Sequence, residues 1–113
     1  MKIMKQYVID ELRPHDFEKL KAYLDTTFGV SEVEGLYRIP IEEELLTDIQ
    51  REHHECGPFY LAAELEPDKL ACELLARPEN RIRCNCIGYA TEDQRSHFIR
   101  RIDGIFEQLE IMT

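Results

Sequence analysis

Two imidazoles, a carboxylate and a thiol stand in a row at His53-His54-Glu55-Cys56, the densest run of ligand-type side chains in the chain. His53 and Cys56 are one helical turn apart, so a helix that persists through this run turns both toward one metal ion, with His54 as a further candidate ligand. Imidazole nitrogen with thiolate sulfur is a zinc donor set. A thiol beside an imidazole is also the arrangement of an activated nucleophile. A closed zinc site needs four ligands. The paired C-x-x-C knuckles that often supply them are absent, so Cys84 or Cys86 would have to complete the set. The rival reading involves no chemistry: His53 follows Ile49 by four residues on an apolar stripe, and imidazoles near a helix C-terminus are favoured by the helix dipole.

The other three thiols read as strand residues. If Pro67-Asp68 is a two-residue loop, Ala63 lies opposite Cys72; a second loop over 77–81 then sets Cys86 opposite Cys72, with Cys84 one diagonal step away. Such a face is either a soft-metal or redox cluster or plain packing. Cysteine behaves as a small hydrophobe, and the C-x-C spacing equals one strand period. A strip of Ala63, Cys72, Cys84, Cys86 and Gly88 then forms a shallow trough for Phe98 or Phe106.

Six arginines (Arg77, Arg81, Arg83, Arg95, Arg100 and Arg101) fall within residues 77–101 against only Glu79, Glu92 and Asp93. Their forked guanidinium groups suit carboxylate or phosphate, so a small anion near Arg77, Arg81 and Arg83 is one expectation. Pairing with the acidic remainder of the chain is the other. Asp93 and His97, one turn apart, form either an acid–base couple beside these arginines or a simple helix-surface pair. No nucleophile or glycine-rich phosphate loop adjoins them, so no catalytic residue is assigned.

The whole chain bounds these options. Its 113 residues make one domain, 1–113, with 43% apolar and 33% charged residues. Fourteen Lys and Arg against 23 Asp and Glu leave a net charge of −9, which argues against nucleic acid or an acidic membrane as partner. No apolar run approaches the ~18 residues of a membrane span, and the N-terminus lacks the apolar stretch of a signal peptide. A cytoplasmic protein with reduced thiols is expected.

The elements that must position these groups are legible from periodicity. Residues 5–12 read as a strand. Pro14 opens a helix carrying Phe17, Leu20, Leu24 and Phe28, closed by Gly29 with Val30 as its apolar clasp. A strand follows at 35–39, ended by Pro40. A second helix shows Ile41, Leu45 and Ile49 on one stripe and runs to about His54. Alternation over 59–66, 69–76 and 82–90 predicts a three-stranded antiparallel meander. Thr91 and Gln94 form a capping box ahead of a last helix with Phe98, Ile102, Ile105, Phe106 and Leu109 on one face. The order β-α-β-α-β-β-β-α predicts an α+β two-layer sandwich, helices on one face of a mostly antiparallel sheet, ferredoxin-like or related.

The sheet's outer face is expected to carry Tyr60, Leu75 and Arg83 in one row, Glu64, Ala71 and Ile87 in another, and Tyr89 beyond. That is the composition of an interface. Arg100, His97 and Gly104 point outward from the last helix, and a glycine there, which costs about 1 kcal/mol relative to alanine, suggests a close neighbour. Three readings follow from the residues. One is a non-catalytic, self-associating binding or regulatory module that forms a homodimer through the sheet. Another is a zinc-binding or thiol-dependent protein using His53, His54 and Cys56. The last is an enzyme acting on a small anion.

Overall fold

The computed structural model describes residues 4–80 and 84–112. Six antiparallel strands form the sheet: β1 (Gln6–Ile9), β2 (Leu36–Pro40), β3 (Phe59–Glu66), β4 (Lys69–Glu73), β5 (Leu75–Pro78) and β6 (Gly88–Tyr89). Three α-helices accompany them: α1 (Pro14–Phe28), α2 (Asp48–Glu52) and α3 (Glu92–Gln108), with a 3-10 turn at Glu43–Leu45. The architecture is α+β with helices packed on a sheet. β1 neighbours β4 while β2 pairs with β3 on the far side, an order that does not establish a ferredoxin-like arrangement.

Burial alternates residue by residue along β3 and β4, as a strand with one covered face requires. The Pro67-Asp68 loop sets Glu66 opposite Lys69 and, further along, Ala63 opposite Cys72, as expected. The remainder of the meander departs from expectation. Between Ala63 and Tyr60 there are three steps on β3, but their partners Cys72 and Arg77 are five steps apart. The two extra residues make a bulge around Leu74 that splits the predicted 69–76 strand into β4 and β5. Tyr60 therefore stands opposite Arg77, not Leu75.

The third meander strand shrinks to Gly88–Tyr89, paired with Ala76 and Leu75. Arg81, Ile82 and Arg83 lie outside the described residues, so the expected place of Arg83 in the outer row does too. Cys86 is not opposite Cys72. The edge of β4 that it would need is taken by β1, which sets Tyr7 against Cys72. β1 itself ends at Ile9, short of the predicted 12, because Glu11 turns the chain out through a left-handed backbone conformation, φ 61°.

On α1, Pro14 is the first helical residue and Asp16 accepts the Arg13 backbone N–H. Leu20 and Leu24 are buried, and Gly29 caps the end at φ 82°. The predicted clasp is absent: Val30 is 74% exposed. The Thr91–Gln94 capping box of α3 is present, and Phe98, Ile102, Ile105 and Phe106 are buried beneath it.

The predicted helix over 41–54 is instead two pieces, because Thr47 and Gln50 form a second capping box and restart the chain at Asp48. The restart turns Gln50 inward and leaves Ile49 exposed. Gln50 Oε1 accepts a hydrogen bond from Gln94 Nε2, which also donates to the Leu45 carbonyl. That buried pair holds α2 on the same side of the sheet as α3. Leu20, Leu24, Phe98 and Ile102 pack with Ile39, Leu61, Ala63 and Cys72 into one core. The opposite face of the sheet carries no helix among the described residues. No helix of the described chain is long and apolar enough to cross a membrane.

Candidate metal centre

Two short turns face each other at one end of the sheet. The first follows α2: His53 is its C-cap, Cys56 N–H donates to the His53 carbonyl, and Gly57 N–H donates to that of His54. The second spans 84–87, closed by Ile87 N–H to the Cys84 carbonyl. The segment after β5 ties down the first turn. Asn80 N–H bonds the Cys56 carbonyl, Asn80 Nδ2 bonds that of Gly57, and Glu79 N–H bonds that of Pro58.

Each turn offers two donors. His53 Nδ1 and the sulfurs of Cys56, Cys84 and Cys86 all lie within 4.8 Å of one another. Cys84 Sγ is 3.1 Å from His53 Nδ1, Cys56 Sγ is 4.0 Å from the same nitrogen, and the Cys56 and Cys84 sulfurs are 3.9 Å apart. The last distance is nearly twice an S–S bond, and all four cysteines are thiols. This group can hold one metal ion. It sits in a small satellite core in which Cys56, Phe59 and Cys86 are buried, with Ile41, Leu46 and Cys84 packed against them.

The electrostatics differ from sulfur to sulfur. The Cys84 thiol is brought down to about 7, chiefly because the Cys86 backbone N–H donates to it, helped by the Cys86, Cys56 and His53 side chains. Burial pushes Cys86 up to about 12, with Cys84 and Cys56 adding to the effect. Cys72 is pushed up to about 12 by burial alone. It lies in the main core and plays the packing role foreseen for the cysteine face, whereas Cys84 and Cys86 leave that face to join Cys56.

His53 and Cys56 therefore come together as their spacing suggested, but in a turn rather than on a continuing helix. His54 does not join them; its side chain is 88% exposed and lies 3.7 Å from a Glu55 carboxylate oxygen. The other candidates are scattered. Tyr60, Leu75 and Tyr89 lie on the outer sheet face, Tyr60 beneath the Arg38 guanidinium at 5.1 Å. Arg77 makes a forked ion pair with Glu73, 2.8 and 3.3 Å, which is the intramolecular pairing weighed against an anion site; Arg81 and Arg83 are outside the described residues. His97 and Arg100 belong to α3, in the helical layer. The His97 partner is Glu42 at 3.3 Å rather than Asp93. Gly104 has open space around it, with no close neighbour among the described residues.

Sequence reasoning missed the Thr47-x-x-Gln50 box, although it has the same form as Thr91-x-x-Gln94. It also had no means of seeing that the C-x-C lies in a turn. Comparison with protein-family models, with curated proteins and with solved structures finds no match.

Proposed function

We propose that this chain is a cytoplasmic, non-catalytic α+β module built around one structural zinc ion, held by His53 Nδ1 and the thiolates of Cys56, Cys84 and Cys86. The convergence of those four atoms from two turns carries the reading. Zinc–sulfur bonds of about 2.3 Å and zinc–nitrogen bonds of about 2.0–2.1 Å, at tetrahedral angles, put sulfur about 3.8 Å from sulfur and about 3.5 Å from nitrogen. The separations of 3.9, 4.0 and 3.1 Å bracket those edges.

Three features favour a structural rather than a catalytic ion. Four protein donors close a tetrahedral shell and leave no position for water or substrate. Cys56 and Cys86 are each only 2% exposed. The satellite core is small, with Cys56, Phe59 and Cys86 as its buried members, so metal binding free energy there would add to folding free energy. Oxygen-preferring ions such as magnesium and calcium do not match a donor set of one nitrogen and three sulfurs.

The test is metal content and affinity. Protein purified without chelator should carry close to one zinc per chain, and Cys56→Ser or Cys84→Ser should weaken zinc by roughly 100-fold or more, one ligand's share of typical structural-site binding. His54→Ala should leave affinity unchanged. Protein that emerges metal-free and takes up no zinc on titration would end the proposal.

A further inference from the structure

The second layer of this sandwich has helices over only one side of the sheet, and the molecule is 20 Å across its thinnest dimension. On the bare side, a row runs across four strands through Val8, Ala71, Glu64 and Leu36. Ala62, Tyr60 and Leu75 continue the surface, all half-buried without any helix above them. Val8 and Tyr89 are exposed large apolar side chains, at 44% and 40%. A shallow groove of about 420 Å³ lies along Tyr60, Ala62, Ala71 and Glu73.

Its charges set this face apart. The described strands place Arg38, Lys69 and Arg77 on it against Glu64, Glu66 and Glu73. Lys5 over the Tyr89 ring and Glu79 beside Arg38 add one of each sign, so the face balances on a chain whose net charge is −9. They are also largely satisfied within the chain. Arg77 is bonded to Glu73, Lys69 lies 3.7 Å from Glu66, and Arg38 covers Tyr60 and lies 3.8 Å from Glu79. A polyanion or a basic peptide needs a surface of net sign, and this one has none. Two strongly acidic copies, by contrast, repel least where they meet on a neutral face. The area suits a weak, reversible pair: strands of four, five, eight, five, four and two residues, at about 3.3 Å per residue and about 4.8 Å between strands, give about 440 Å² per copy, hence about 900 Å² in a pair, the size of a transient contact.

We infer that the outer face of the sheet is the contact surface of a two-fold homodimer, packed sheet on sheet and centred near Ala62. Ala62 and Ala71 let the sheets approach to the ordinary ~10 Å spacing while Tyr60 and Leu75 of each copy fill the interface. The apolar contact is insensitive to salt and the repulsion between copies is screened by it, so raising ionic strength tightens the pair.

Sedimentation of the purified protein over roughly 5–100 μM, a range that suits an interface of this size, tests it. The wild type sediments at twice its 13.4 kDa chain mass. Ala62→Arg, which places two guanidinium groups face to face at the axis, weakens the pair by roughly 100-fold or more with an unchanged far-ultraviolet spectrum. If Ala62→Arg does not fold, Val8→Lys at the exposed edge of the same face serves instead. Glu18→Arg on α1, an equal or larger charge change on the helical side, leaves the dimer intact. A wild type that stays monomeric overturns the inference. So does a dimer that survives both outer-face variants, or a monomer that carries a different protein released by Ala62→Arg.

Discussion

The sulfur of Cys84 stands 3.1 Å from Nδ1 of His53, a residue 31 positions earlier in the chain. Nothing local brings them together. The contact exists because β3, β4 and β5 carry the chain away and back, returning the 84–87 turn to the end of α2. A donor group assembled by the fold in this way shows its chemistry most clearly through the reactivity of its members.

In metal-free protein, Cys84 is expected to be the first cysteine alkylated by iodoacetamide near neutral pH. It is half-exposed and brought down to about 7 by the Cys86 backbone N–H and neighbouring side chains, and the thiolate is the attacking species. Cys72, buried and pushed up to about 12, reacts only on unfolding. Saturating zinc should protect Cys84. Peptide mapping of the alkylated protein reads all three outcomes, and Cys72 reacting ahead of Cys84 would contradict the assigned environments.

Asp25 links α1 to β2, accepting hydrogen bonds from Lys21 and from the phenol of Tyr37. Those contacts hold its carboxyl below the usual carboxylate range, Lys21 contributing first. The stabilisation from a lowered folded-state value is complete above the ordinary carboxylate range and is lost as pH falls through the folded-state value. Asp25→Asn should therefore flatten the loss of stability below about pH 4. Denaturant midpoints measured from pH 2 to 7 check this. Tyr37→Phe should cost about 1 kcal/mol at pH 7.

Gln50 and Gln94 satisfy each other in the interior, and each also closes its own capping box. Removing either one loses the buried bond between the two amides together with its own capping-box bond, about 1–3 kcal/mol. The survivor keeps a second partner, the Thr47 N–H on Gln50 Oε1 or the Leu45 carbonyl on Gln94 Nε2. Gln50→Ala and Gln94→Ala should each destabilise by about that amount, and the double variant by clearly less than their sum. Strict additivity in equilibrium unfolding would show that the pair does not act as a unit.

Two glycines should respond in opposite directions. Gly35 has φ 84°, and a β-carbon there would lie 2.7 Å from the Leu65 carbonyl oxygen, a backbone atom fixed by the sheet. Gly35→Ala should destabilise by at least about 1 kcal/mol. Gly104 is helical and exposed with open space around it, so Gly104→Ala should stabilise by up to about 1 kcal/mol. Thermal unfolding of both variants side by side measures the contrast.

Much of this fold is readable from local rules. The alternation over Phe59–Glu66, the Pro67-Asp68 loop and the Thr91–Gln94 box each depend on a few adjacent residues, and each is where the sequence places it. What escapes is non-local. The bulge around Leu74 follows no composition signal. It is defined only by which strands pair on either side, and it shifts Tyr60 from Leu75 to Arg77. Cys84 and Cys86 have the alternation of a strand, but β1 already occupies the edge that would receive them, and β1 lies at least 75 residues upstream. The candidate site was half legible for the same reason: His53-x-x-Cys56 is a local spacing, while the second pair of donors arrives through tertiary structure. The inward side of α2 was missed because the apolar stripe of Ile41, Leu45 and Ile49 outweighed a polar residue, Gln50, that is buried because it has a buried partner.

The bulge has one more effect. Leu74, fully buried between β4 and β5, donates its N–H to the Lys5 carbonyl and accepts from the N–H of Ala90. A single peptide neighbourhood thus joins the first strand to the residue that leads into the last helix, with the 84–87 turn only a few positions ahead of it. The beginning and the end of the fold are fastened at one knot. Loosening the 84–87 turn pulls on β1, so hydrogen exchange at Lys5–Ile9 should report on events at the cysteines across the molecule.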